Sequence, residues 1–146
     1  MNIKIAGLFL ASFILLFNAL HAQTKKQATG QTTIAASIAR GKIVYTNVCL
    51  PCHMADGGGV QNMNPPLMNT TYVLGNKTTL IKIVLQGFNE DVEINGQTYS
   101  NTMSPHDDLS DRQIADVLTY VRHSFGNKAS IVKAMEVSKV RAMPKK

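Results

Sequence analysis

The chain has 146 residues, 45% hydrophobic and 16% charged, with a formal net charge of +6 and no tryptophan. That length fits one domain. The two cysteines stand only three positions apart, which excludes a disulfide framework: a bridge across two intervening residues closes a tiny loop and constrains the unfolded chain very little.

In chain order, residues 1–22 come first. Met1 to Lys4 are positively charged, Ile5 to Phe17 are apolar apart from Ser12, and the small residue Ala22 precedes Gln23. These are the three parts of a secretory signal peptide, with cleavage expected after Ala22. The apolar stretch is too short to cross a ~30 Å hydrocarbon core as a helix. The alternative is an uncleaved anchor. Residues 23–33 read as a polar linker. From Ile34 the text IAASIARGKIVYTNV has no strand run, and Ile34, Ile38, Tyr45 and Val48 fit a helical stripe.

CLPCH, Cys49 to His53, follows directly. A thioredoxin-like pair belongs after a strand in a βαβ context, and a structural zinc site needs four ligands. Neither context is present in the sequence. In C-x-x-C-H both thiols add to haem vinyl groups as thioethers, and the histidine becomes an axial ligand of the iron. This reading uses all three residues: Cys49 and Cys52 as the anchors and His53 as the ligand. One haem c and its iron are therefore the expected cofactor.

ADGGGV needs backbone freedom to turn back and is not a phosphate loop, having no lysine-serine partner. NPPL, residues 64–67, reads as a rigid turn. TTLIKIVLQG predicts a short helix with Thr79 as cap and Gly87 as end. VEINGQTY places Asn95-Gly96 between alternating residues, the signal of a type I′ hairpin. Met103, in a loop 50 residues beyond His53, is expected as the second axial ligand, since His/Met is a recurrent pair that raises the potential. His106 is the second choice. Met54, Met63 and Met68 are too close to the anchor, and Met135 and Met143 lie in a charged tail. LSDRQIADVLTYVRHSFG predicts a helix with a Ser110–Gln113 capping box, a Leu109–Ile114 staple, an apolar stripe from Ile114 to Phe125, and Gly126 as the stop.

Charge divides the chain. Residues 31–126 hold six Lys/Arg against eight Asp/Glu, while residues 127–146 hold six against one. Residues 128–146 are read as a basic C-terminal extension, solvated and carrying a short helix packed on the domain. Contact with an acidic partner or lipid is the alternative. Nucleic acid is not an expected partner outside the cytoplasm.

The segments GKIVYTNVCLPCHMADGGG, NPPL, INGQTYSNTM and LSDRQIADVLTYVRHSFGN resemble the class I c-type cytochromes, small electron carriers, over residues 34–127. They are most similar to the cytochrome domains attached to periplasmic alcohol dehydrogenases and copper nitrite reductases. The family usually has Met-Pro, whereas Ser104 separates Met103 from Pro105 here. The resemblance implies an all-α cytochrome c fold of about four to five short helices around a covalent haem, with a small β-hairpin near residues 92–99. It implies that Gly41 faces Tyr120 where the first and last helices cross. It also implies that the Pro66 carbonyl accepts a hydrogen bond from His53. The hairpin would cover the haem edge, with Tyr99 near a propionate or in an ordinary structural role.

The implied function is periplasmic transfer of one electron, without enzymatic activity of its own. Expected partners are a dehydrogenase, a nitrite reductase or a terminal oxidase, with membrane contact only through the basic tail or an uncleaved signal. Two other classes compete: a haem enzyme or gas sensor with an open or displaceable sixth iron position, and a maturation or structural subunit docked on a dehydrogenase.

Overall fold

Helices take up most of the ordered elements, and each begins or ends where the local chemistry requires. The structure, a computed structural model, describes residues 33–144. The signal-peptide and linker expectations therefore lie outside the described residues, apart from residue 33. The first helix, α1, covers 33–44. It passes into a π-helical turn, Tyr45–Cys49, in which the Leu50 N–H donates to the Tyr45 carbonyl five residues back. Pro51 has no N–H to offer Asn47 four residues back, so a regular α-helical ladder is already broken there. The short helix α2, Leu50–His53, completes the run and carries Cys52 and His53, with Cys49 the last residue of the π-helical turn.

Next come α3, Thr71–Leu74, and α4, Lys77–Gln86. The cap of α4 is Asn76, whose side chain accepts from the N–H groups of Thr78 and Thr79, and not Thr79 itself. Thr79 lies inside the first turn, where its own N–H needs a partner. Gly87 ends α4 as expected, at φ +78°. Strands β1, Val92–Ile94, and β2, Gln97–Tyr99, pair antiparallel with Val92 opposite Tyr99 and Ile94 opposite Gln97. Asn95 and Gly96 both have positive φ, as a type I′ turn demands. Helix α5, Asp111–His123, has the full Ser110–Gln113 capping box. It stops at His123 rather than at Gly126. Ser124 is extended, and Phe125 takes φ +57°. That turn takes Phe125 off the helix and packs its ring 5.3 Å from Tyr45 and 5.7 Å from Tyr120.

The core gathers Tyr45, Val73, Ile81, Ile114, Val117 and Val121 with their neighbours on α4 and α5. α1 crosses α5 at Gly41. A Cβ built on Gly41 would fall 2.0 Å from the Asp116 carbonyl oxygen and 2.8 Å from the Tyr120 Cβ, so only glycine allows this approach. The expected pairing of Gly41 with Tyr120 is thus present. Next to it Arg40 Nε and Nη2 donate to the Asp116 carboxylate at 2.6 and 2.9 Å. The last helix, α6, Ala134–Arg141, packs on α4 and α5. The expected short helix packed on the domain is thus present, and the packing goes further than a solvated extension would: Val132, Val137 and Val140 are buried in the same core. Among the described residues no helix is long and apolar enough to cross a membrane.

Candidate functional site

A cavity of about 250 Å³ opens between α2, α4, the hairpin and α5. Most of its wall is apolar: Val73, Leu80, Val84, Leu109, Val117 and Leu118 come from the helices and the turns between them. Val92, Ile94 and Tyr99 share one face of the hairpin and close one side. Cys49, Cys52 and His53 all reach this cavity from the α2 side. Cys49 is half-buried and Cys52 exposed, and their sulfurs are not joined to each other. Burial, then the neighbouring Cys52, push the Cys49 thiol up to about 11, so it is neutral at ordinary pH.

The His53 ring is buried, and its Nδ1 lies 3.0 Å from the Pro65 carbonyl oxygen. A carbonyl only accepts, so Nδ1 donates and Nε2 keeps its lone pair. This corrects the expectation for Pro66. The two prolines are adjacent, and the turn presents the first carbonyl to the imidazole while Pro66 lines the cavity. The turn is fixed from outside the motif. Leu67 N–H donates to Gly57 O at 2.7 Å, and Asn127 Nδ2 donates to the Leu67 carbonyl at 2.8 Å. Burial lowers the His53 pKa; the Pro65 bond opposes this and the nearby His106 adds to it. The net effect favours the neutral imidazole, the form that can ligate a metal.

Met103 is a half-buried residue on the cavity wall. Its N–H donates to the Phe88 carbonyl at 2.7 Å, and its carbonyl accepts from Phe88 N–H at 2.9 Å. Gly87 makes this bridge possible: a Cβ there would fall 2.5 Å from the Met103 carbonyl oxygen. His106 also lines the cavity, with its N–H bonded to Val84 O at 2.9 Å. Met54, Met63, Met68, Met135 and Met143 are all exposed and do not line the cavity. His123 is exposed on α5, with Nδ1 on its own helix at the Thr119 carbonyl. Tyr99 is buried in the cavity wall.

Sequence reasoning missed Pro65, Asn127 and the aromatic wall residues Tyr72 and Phe88, which meet at 6.2 Å. The helical stripe marks Tyr45 only as an apolar residue. Its hydroxyl also donates to the Met54 carbonyl at 2.7 Å and so holds the chain just past His53.

An apolar cleft, two thiols at its rim, a buried imidazole with a free Nε2 and a thioether on the wall fit one flat, apolar, iron-bearing macrocycle. The comparisons with known proteins agree. The Cytochrome c family model matches residues 38–125. The chain is 38% identical over 111 residues to the cytochrome c subunit of an alcohol dehydrogenase (quinone) from Gluconacetobacter polyoxogenes, covering 69% of this chain and 22% of that one. It is 30% identical over 118 residues to cytochrome c-552 of Thermus thermophilus, covering 75% of this chain and 79% of that one. It is 34% identical over 107 residues to a fructose dehydrogenase cytochrome subunit from Gluconobacter japonicus, covering 70% and 22%. The chain thus spans about a fifth of the length of the dehydrogenase subunits it matches. With the attachment segment, the cleft and the fold in place, the chain belongs to the cytochrome c family, whose members carry covalent haem c.

Proposed function

We propose that the protein is an exported one-electron carrier whose iron is held by His53 and Met103. The observation that carries this reading is the shared cavity: the His53 imidazole has a free Nε2 on one wall, and Met103 is the one cavity-lining methionine among the described residues. Haem c supplies a one-electron couple at its iron. The protein's residues do the rest. Cys49 and Cys52 would hold the macrocycle by thioether bonds. The Pro65 carbonyl orients His53 and raises its basicity as a ligand. The Phe88–Met103 bridge holds the thioether in place, and the helix side chains exclude water. With His53 and Met103 as its two protein ligands, the iron would pass electrons without needing to bind a substrate.

Two named relatives are cytochrome subunits of dehydrogenases, which supports a dehydrogenase as the electron source. Export is supported by the signal-like pattern of residues 1–22. The testing experiment is an absorption spectrum of the oxidised holoprotein. The far-red methionine–iron band is expected. A high-spin spectrum with an open sixth position points instead to a haem enzyme or sensor and ends the carrier reading.

A further inference from the structure

The family match ends at Phe125, but the chain beyond it is built into the domain. Thr119 and Val132 exchange two hydrogen bonds, at 3.2 and 3.0 Å, and Arg122 Nε donates to the Ser130 carbonyl at 2.8 Å. These contacts seat the start of the extension on α5. Its far end does something different. Arg141, on the last turn of α6, reaches three acceptors within five residues of chain. Nη1 donates to the Asp107 carbonyl at 2.8 Å, Nη2 to the Leu109 carbonyl at 2.6 Å, and Nε to the Asp111 carboxylate at 2.7 Å.

Those acceptors immediately follow the Met103–His106 segment, and Leu109 is itself a wall of the cavity. The segment itself is tied at its upstream end by the bridge from Met103 to Phe88, just past α4, and at its downstream end by the His106–Val84 bond to α4. Arg141 adds a further tie on the chain that follows, residues 107–111. A planar guanidinium suits this task because its donors leave in a fixed fork, whereas an ammonium is a single point charge.

We propose that Arg141 is a positioning residue for the distal iron ligand, and that the C-terminal extension is a strap keeping the Met103 segment closed over the haem. The proposal rests on Met103 being that ligand. A thioether is a weak ligand, and an external ligand takes its place only when the segment opens. Opening pulls the Asp107 and Leu109 carbonyls off the fork, so the strap adds to the cost of each opening.

The test is the rate at which imidazole displaces methionine in the oxidised holoprotein, read by loss of the far-red band, with the reduction potential measured alongside. Arg141→Ala should exchange roughly tenfold faster, the equivalent of one charge-assisted bond discounted for the partial exposure of the pair, and should have a lower potential. Arg141→Lys should fall between Ala and wild type. Arg40→Ala, which breaks the ion pair at the α1–α5 crossing, should lower thermal stability but leave exchange unchanged. A wild-type exchange rate in Arg141→Ala, or in Arg141→Lys should the alanine variant not fold, overturns the strap. So does equal acceleration by Arg40→Ala. A wild-type protein with no methionine–iron band sinks the Met103 assignment and the strap together, whereas an intact band with unchanged exchange sinks the strap alone.

Discussion

Replacing Gly41 by alanine should be among the most costly single-methyl changes in this chain. The new Cβ would lie 2.0 Å from the Asp116 carbonyl oxygen, 2.5 Å from the Asp116 carbonyl carbon and 2.8 Å from the Tyr120 Cβ. Two of these are backbone atoms of α5 and the third is fixed to it, so no side chain can rotate away. The helices must part by roughly 1.5 Å to reach ordinary van der Waals separation. Overpacking of this kind costs ~1–3 kcal/mol. The shift also stretches the Arg40–Asp116 bonds at 2.6 and 2.9 Å, next to the clash, which acts in the same direction but is weakened by the exposure of Arg40 to solvent. Alanine returns up to ~1 kcal/mol through its better helix propensity. The net loss is about 1–3 kcal/mol, a large share of a typical stability of ~5–15 kcal/mol. For a domain of this size that lowers the Tm by roughly 10 °C. Thermal circular dichroism of the holoprotein reads it. A Tm within ~2 °C of wild type would mean that α1 and α5 do not touch at Gly41, and the packing argument would fail.

The double variant Cys49→Ser/Cys52→Ser should lose most of its far-UV helicity, because a small core without tryptophan is marginal without the macrocycle filling its cavity; native helicity in that variant refutes this. Met103→Ala should abolish the far-red band and lower the reduction potential by ~100 mV or more, within the ~0.8 V that axial ligation spans, with His106 placed on the same wall as the replacement ligand; a band that survives rules out Met103. Burial acts to raise the Asp116 pKa, but bonds from Arg40 and Ser37 outweigh it and hold the carboxyl below its usual range. Its stabilisation is therefore complete above the unfolded value of ~3.9 and fades as the pH falls toward the folded one. Asp116→Asn should be less stable than wild type at pH 7, and the gap should narrow below about pH 4; a gap constant with pH contradicts the assignment.

What could be read from the sequence was set by short-range chemistry. The haem attachment needs three residues in five, Cys49, Cys52 and His53, so one local window contains the whole signal. The start of α5 was legible because Ser110 and Gln113 satisfy each other's backbone across a single turn. The hairpin was legible because Asn95 and Gly96 are the residue types that tolerate positive φ. The end of α5 was not. Phe125 continues the helical stripe in sequence, but its ring gains more by turning out between Tyr45 and Tyr120, which arrive from 80 residues away and from α5 itself. The choice between Pro65 and Pro66 was illegible for a similar reason. Neither has an N–H, both prefer the same φ, and the carbonyl that meets His53 is decided by ties from Gly57 and Asn127.

The C-terminal extension is the most instructive of these cases. Its charge dominates a reading by composition, since six basic residues stand against one acid over 127–146. Yet beyond Asn127 the buried residues among those described are three valines, 132, 137 and 140, the last two a helical turn apart on α6. The charges do not merely face water either. Lys77 of α4 pairs with Glu136, and Arg141 spans from the Asp111 carboxylate to two carbonyls beside the cavity. A lone arginine with acceptors 30 to 34 positions away has no local signature, so its role becomes visible only once α6 lies across the foot of α5. Charge runs are usually solvated faces. Here the apolar residues between the charges decide where the segment lies, and that placement turns a surface cation into a clasp on the loop that carries Met103.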